Sequence, residues 1–296
     1  MSRRKFGWIP DIPDFRDYSQ DTPSVRVLLD PGGRARGMKP RARKAAGLPP
    51  SVDLRADCSP VEDQGSLGSC TANAGAGLIE YYERRAFGRH LEASRLFLYK
   101  TTRNLMKVEG DVGAYLRTTI GAMALFGVPP EDRWPYNERP DAFDREPPAF
   151  CYAFAQNFKT IQYFRHDLPG IPAEETLDRI KTHLVSGHPS MFGFTVYSSI
   201  EKVDARGMIP FPGPKERILG GHAVVAVGYD DQVEIQNGKT GGKAAKGALL
   251  VRNSWGESWG ERGYGWLPYE YMHRGLAEDF WSVLKKDWID TGAFNA

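Results

Sequence analysis

One cysteine of the three in this chain stands where its thiol would be most reactive. The run Asp63-Gln64-Gly65-Ser66-Leu67-Gly68-Ser69 is rich in turn formers, and Cys70 follows it at the head of a helix-compatible stretch through Arg85. A thiol at a helix start feels the positive end of the macrodipole, which favours thiolate over thiol. Thiolate is the nucleophilic form, so this spacing points to covalent catalysis. Taken alone, the same residues also read as a glycine turn followed by a helix that happens to begin near a cysteine.

Two distant segments shift the balance. The first is Gly220-Gly221-His222-Ala223-Val224-Val225-Ala226-Val227-Gly228-Tyr229, and the second is Leu249-Leu250-Val251-Arg252-Asn253-Ser254-Trp255-Gly256. Each is an apolar strand with a polar residue at one end, where a strand can present a side chain to a cleft. Cys70, His222 and Asn253, on separate elements, supply a nucleophile, its base and an orienter of the base.

At this point the chain resembles the papain-like cysteine peptidases, over about residues 48–284, and within them the bacterial branch. The resemblance rests on Leu48-Pro49-Pro50-Ser51-Val52-Asp53-Leu54-Arg55, on Gln64 six residues before Cys70, and on Gly221-His222-Ala223-Val224. Asn253-Ser254-Trp255-Gly256 and Gly127-Val128 leading to Trp134-Pro135-Tyr136 complete it. It implies an α+β fold of two lobes, one helical and one β-barrel-like, facing each other across a cleft. Cys70 would lie on one wall and His222 and Asn253 on the other. It further implies that Gln64 and the Cys70 N–H stabilise the oxyanion, that Trp255 shields the His222–Asn253 contact, and that Trp259 lines the leaving-group side. Val112-Gly113 matches the stretch that binds the substrate backbone, with valine replacing a glycine. Pro189, Ser190 and Met191 would border the pocket for the second residue before the scissile bond, where an apolar side chain is expected. No cofactor or metal is implied.

Two residues depart from the pattern around the nucleophile, which has a cysteine three positions before it and an aromatic after it. Leu67 and Thr71 stand at those places. Leu67 removes one partner of a family disulfide, and Thr71 removes an aromatic wall; neither touches proton transfer.

Composition agrees with a packed enzyme. The 296 residues include seven tryptophans and 12% aromatics, enough for a substantial core. No apolar run approaches the length a membrane span needs. Met1-Ser2-Arg3-Arg4-Lys5 is basic but lacks a following apolar stretch, so a Sec-type signal peptide is not expected. The default expectation is a cytoplasmic protein, with non-classical secretion open. Cys58, Cys70 and Cys151 are too few for a disulfide framework, and Cys58 and Cys151 read as buried thiols.

Residues 1–46 form a proline-rich leader whose strand-like run is Val25–Leu29. Pro31 to Ala46 carries six basic and no acidic residues, as a linker would. The leader is too short to resemble the helical pro-region usual in the family. Residues 8–30 are nevertheless expected along the active-site side as an intramolecular inhibitor, with Trp8, Ile9, Phe15, Tyr18 and Leu28 as apolar anchors. Residues 47–296 make the peptidase domain, with the helical lobe near 55–155 and the β-rich lobe near 156–285. Helices are expected over Cys70–Phe87, Ser94–Leu105, Gly113–Phe126 and Ala173–Ser186. Strands are expected over Ser190–Tyr197, His222–Tyr229, Gly247–Asn253 and Gly263–Pro268, with an exposed hairpin end over Asn237–Gly247.

His90, His166, His183, His188 and His273 show no metal-ligand spacing and read as surface or packing residues. Residues 1–50 hold 11 basic and 5 acidic side chains, but the basic stretch Pro31–Ala46 has no interleaved aromatics, so it reads as a solvated linker and nucleic acid is not an expected partner. Protein or peptide substrates are the expected partners. Three functional classes remain in view: an endopeptidase, a related acyl transferase or isopeptidase on the same fold, and a non-enzymatic module binding through its basic linker.

Overall fold

The computed structural model describes residues 4–29, 47–159, 162–236, 244–289 and 291–294. The chain opens with strand β1 (Trp8–Ile9) and helix α1 (Pro23–Leu29), then strand β2 (Ser51–Asp53). The helical lobe follows: α2 (Cys70–Phe87), α3 (Arg95–Met106), the short strand β3 (Ala114–Tyr115), α4 (Leu116–Phe126) and α5 (Ala149–Ala155). The β-rich lobe contains β4 (Gln162–Arg165), α6 (Ala173–Val185), β5 (Ser190–Tyr197), β6 (Ile218–Ile235), β7 (Ala245–Arg252), β8 (Tyr264–Pro268) and β9 (Ala277–Leu284). Its six strands, in the order β4-β9-β5-β6-β7-β8, form one antiparallel sheet of seven with β2, which pairs with β6. This is the α+β, two-lobe architecture that the sequence implies.

Helix α2 is the spine of the molecule. Thirteen of its residues, Cys70 through Tyr82, are buried, and the helix stops at Gly88 in the left-handed conformation. Its inward small residues let other elements close in. At Gly77 a side chain would collide with the guanidinium of Arg252, so glycine here lets the end of β7 cross onto the helix. Arg252 then donates to Ser59 Oγ (3.0 Å) and the Pro60 carbonyl (2.7 Å). Ser59 Oγ in turn donates to Glu80 on α2, so the end of β7, just before Asn253, is tied to the helix that Cys70 opens. Helix α3 is started by Ser94, whose Oγ accepts from the Phe97 N–H at 3.2 Å.

Several elements differ from the sequence expectation. Val25–Leu29 lies in a helix, not a strand, because Pro23 occupies the first helical turn and the Thr22 carbonyl accepts from the Val25 and Arg26 N–H groups. Residues 114–115 are extended before α4 begins at Leu116, where the expected helix starts earlier. Strand β6 runs well past His222–Tyr229 in both directions. β9 has no counterpart in the sequence reading; its Asp279 adopts φ 61°, which breaks the alternation expected of a strand. The linker from Pro31 to Ala46 and most of the Asn237–Gly247 loop lie outside the described residues.

Candidate active site

Cys70 opens α2 with its thiol fully buried. The loop before it is fastened from both lobes. The Gln64 N–H donates to the Ser254 carbonyl at 2.9 Å, and Ser254 Oγ donates to Gln64 Oε1 at 2.6 Å. The amide is thus held with Nε2 turned toward the Leu67 carbonyl (2.8 Å). From the helical lobe, the Tyr136 hydroxyl donates to the Gln64 carbonyl at 2.8 Å and lies 2.6 Å from Ser69 Oγ. Ser69 spends its hydroxyl on Tyr136 and Asn73, which is why it does not cap the helix it precedes.

His222 sits on β6, opposite Phe194 of β5. Its Nε2 is 2.7 Å from Asn253 Oδ1, the same oxygen that accepts the Ser254 N–H at 2.8 Å. That second bond fixes the Asn253 oxygen toward the ring, so Nε2 carries the proton and Nδ1 keeps its lone pair. Nδ1 is buried and has no hydrogen-bond partner. Trp255 stacks on the imidazole at 4.5 Å, and Trp259 meets Trp255 edge-on at 5.3 Å.

Residues 4–9 run through this cluster. Arg4 lies over Trp255, and Phe6 packs edge-on against both His222 and Trp255. The Lys5 carbonyl accepts from Gln64 Nε2 at 3.3 Å, while Lys5 Nζ is 2.7 Å from Asp111 Oδ2. Gly7 presses on Gly68 and Gly113 so closely that a Cβ on Gly113 would strike the Gly7 carbonyl. Trp8 and Ile9 then pair parallel to Ala114 and Tyr115. Trp8 covers Gly193 and Gly221 and donates to Asp279 Oδ2 at 3.1 Å. Asp279 also accepts the Asp11 N–H (2.8 Å) and the Arg165 guanidinium (2.7 Å), anchoring the segment to β9.

Under this strand the titrating groups are driven toward neutrality. Burial pushes the Cys70 thiol up to about 11, against the opposing pull of the Ala223, Gly7, Thr71 and Cys70 N–H groups. Burial also lowers His222 to about 4, partly offset by its bond to Asn253. The covered site therefore holds a thiol and a neutral imidazole, not an ion pair.

The structure brings Cys70, Gln64, His222, Asn253 and Trp255 together, with Trp259 joined through Trp255. Gly113 lines the same groove, whereas Val112 is half-exposed and makes no contact described there. Pro189, Ser190 and Met191 are buried in the sheet; it is Gly193, further along β5, that faces Trp8. Of the expected leader anchors, Trp8 is buried, but Phe15 is 98% exposed and Tyr18 lies on the surface against Tyr163. Among the described residues the occupying stretch reaches back to Arg4, ahead of the expected residue 8. Ser254, Asp111 and Tyr99 escaped the sequence reading, since nothing in their spacing announces partners so far away. His90 approaches Glu80 and Glu92, but both Glu80 oxygens are already engaged, by Ser59 and by the Ala93 N–H.

Comparison with known proteins agrees with this geometry. Residues 48–282 match the papain family cysteine protease profile. The structure of xylellain, a cysteine protease from Xylella fastidiosa, superposes with a TM-score of 0.72 at 36% identity, covering 96% of this chain and 98% of that one. An uncharacterized peptidase C1-like protein of Acanthamoeba polyphaga mimivirus is 34% identical over 95% of this chain and 86% of its own length. Mouse cathepsin K is 29% identical over 86% of this chain and 66% of its own. The chain belongs to the papain family of cysteine proteases.

Proposed function

We propose that the chain is a cysteine endopeptidase whose own residues 4–9 block its cleft until they are displaced. The observation that carries this reading is the Gln64 amide, locked by Ser254 and aimed at a backbone carbonyl beside Cys70. In the open site, His222 Nδ1 takes the Cys70 proton and the thiolate adds to the scissile carbonyl carbon. Negative charge gathers on the carbonyl oxygen, where Gln64 Nε2 and the Cys70 N–H are preorganised donors. The amide C–N bond breaks as His222 returns the proton to the leaving amine, leaving a thioester on Cys70. Water then loses a proton to His222 and attacks the thioester carbon; the C–S bond breaks, releasing the acid and returning Cys70 as a thiolate beside the protonated His222. Asn253 keeps the ring aligned without adding charge, and Trp255 keeps water from that contact.

Residues 4–9 are not presented as substrate. The Gly7 N–H faces the Cys70 sulfur, and the Lys5 carbonyl occupies the Gln64 Nε2 donor that the oxyanion would need. The segment runs from Trp255 toward β3 and parallel to it, so its withdrawal rather than its cleavage opens the site.

The test is to incubate the full chain, as wild type and with Lys5→Glu and Phe6→Asp to displace residues 4–9, with a fluorogenic peptide amide and a thiol-directed epoxide. The readout is taken in the displaced form. Turnover, labelling of Cys70 in preference to Cys58 and Cys151, and at least a roughly thousandfold loss in Cys70→Ala are expected. Turnover that survives Cys70→Ala, or label confined to the other thiols, overturns the assignment.

A further inference from the structure

Arg95 opens α3 with its side chain only 10% exposed, behind the loop that carries Gln64. Its Nε lies 2.9 Å from Glu62 Oε1, and its Nη2 lies 3.5 Å from Glu131 Oε1. Nη1 donates to the Asp63 carbonyl and to Asn73 Oδ1, both at 3.4 Å. Cζ stands 4.3 Å from the centre of the Tyr136 ring. The Asp63 carbonyl belongs to the same peptide group as the Gln64 N–H, which donates across the cleft to the Ser254 carbonyl at 2.9 Å. One peptide plane is therefore held from the helical lobe by Arg95 and from the β-rich lobe by Ser254. These partners of Arg95 lie on α2, in residues 62–63 and in residues 131–136, not in residues 4–9, so its setting remains when that segment leaves.

Resting on the peptidase reading above, we infer that Arg95 is a positioning residue, which holds the Gln64 amide at the oxyanion through the Asp63 carbonyl and the Tyr136 ring without touching substrate. Tyr136 completes the path: its hydroxyl donates to the Gln64 carbonyl at 2.8 Å, and its N–H is fixed on Glu131 Oε1 at 2.6 Å. Both peptide groups of Gln64 thus rest on groups that Arg95 holds. Through Asn73, whose Nδ2 donates to the Ser69 carbonyl at 3.0 Å, the same guanidinium reaches the residue before Cys70. Bonds of 3.4 Å are long, so no single contact sets the position. The planar fork acts by meeting a carbonyl, a carboxylate and a ring face at once, which an ammonium cannot do. Oxyanion donors work by being fixed before charge develops, so slack in the Gln64 loop costs kcat and spares ground-state binding.

The experiment uses the full chain carrying Lys5→Glu and Phe6→Asp, with active enzyme counted by the thiol-directed epoxide. Arg95→Met keeps the apolar stem and removes the fork. Its kcat on one peptide amide is expected to fall by about tenfold, with KM changed by less than about twofold. In a Gln64→Ala background the same change should cost less than about twofold, because the donor it positions is gone. Arg95→Lys leaves a cation beside Glu62, so stability in urea should return while kcat stays low. A full loss that persists in Gln64→Ala, a loss confined to KM, or a kcat that recovers with stability in Arg95→Lys overturns the inference. If Arg95→Met does not fold, Tyr136→Phe reads the same path, since it keeps the ring beside the guanidinium and deletes the hydroxyl on Gln64. An unchanged kcat there, or a loss that Gln64→Ala does not absorb, overturns it equally. Kinetics untouched by Arg95→Met sink this inference alone; no turnover and no label on Cys70 with Arg95 intact sink the peptidase reading itself.

Discussion

Ser254 Oγ lies 2.6 Å from Gln64 Oε1, joining the residue beside Asn253 to the amide whose Nε2 donates to the Lys5 and Leu67 carbonyls. With the Ser254 N–H on Asn253 Oδ1, this one serine fixes the polarity of two side-chain amides in opposite lobes. A flipped Gln64 would turn an acceptor toward the developing oxyanion. In Ser254→Ala that restraint is lost while the substrate groove is untouched. The expected result is a kcat lower by about tenfold with KM nearly constant, less than the 10²–10³ typical of removing an oxyanion donor. Steady-state kinetics on one peptide amide decide it; a loss seen mainly in KM would place Ser254 in substrate binding.

The chemistry of this site was legible where a residue type and its local context coincide. Cys70 after a glycine-rich loop, and His222 and Asn253 at the ends of apolar runs, carry their signal within ten residues. The supports do not. Gln64 and Ser254 are 190 residues apart, and Asp111 matters only because Gly68, Tyr99 and Lys5 converge on it. The leader is legible only in part, for a related reason: Trp8 is buried and Leu28 packs on the core, as apolar anchors should. Its other anchors are hydrogen bonds to Asp279 and backbone pairing at Ala114, so a search for apolar residues also selects Phe15, which is solvated, and passes over Lys5 and Gly7.

The covering strand makes a prediction about thiol reactivity. Burial beneath residues 4–9 holds Cys70 up to about 11, so its thiolate is scarce at neutral pH. Lys5→Glu sets a carboxylate against Asp111, and Phe6→Asp puts a charge on the His222 and Trp255 rings. Combining the two should expel the segment. Alkylation of Cys70 by iodoacetamide, followed by mass spectrometry, is expected to be at least about tenfold faster at pH 7 in the double variant. The wild-type rate should climb steeply toward alkaline pH, and the variant should already be reactive near neutrality. Equal rates and superimposable pH profiles would show that the strand does not control the thiol.

A second set of buried groups predicts how stability depends on pH. His166, His183 and His188 form a chain of imidazoles, with centroids 4.9 and 6.2 Å apart, in which all three Nδ1 atoms lack hydrogen-bond partners. His188 stacks on Phe294 at 5.2 Å, and burial, then the neighbouring His183 and Arg85, lower it from 6.5 to about 3. It is neutral in the folded protein, whereas in the unfolded chain it takes up a proton as pH falls below 6.5. The unfolded state then binds more protons, so the folded state loses stability with falling pH, by about 1.4 kcal/mol per pH unit at most from this group. His188→Phe keeps a ring against Phe294 and removes the titration. Urea unfolding of both proteins from pH 7 to pH 4 should show the variant gaining on the wild type as acid is added, with little change in their difference above pH 7. Parallel stability curves across that window would mean that His188 is not held neutral by the fold.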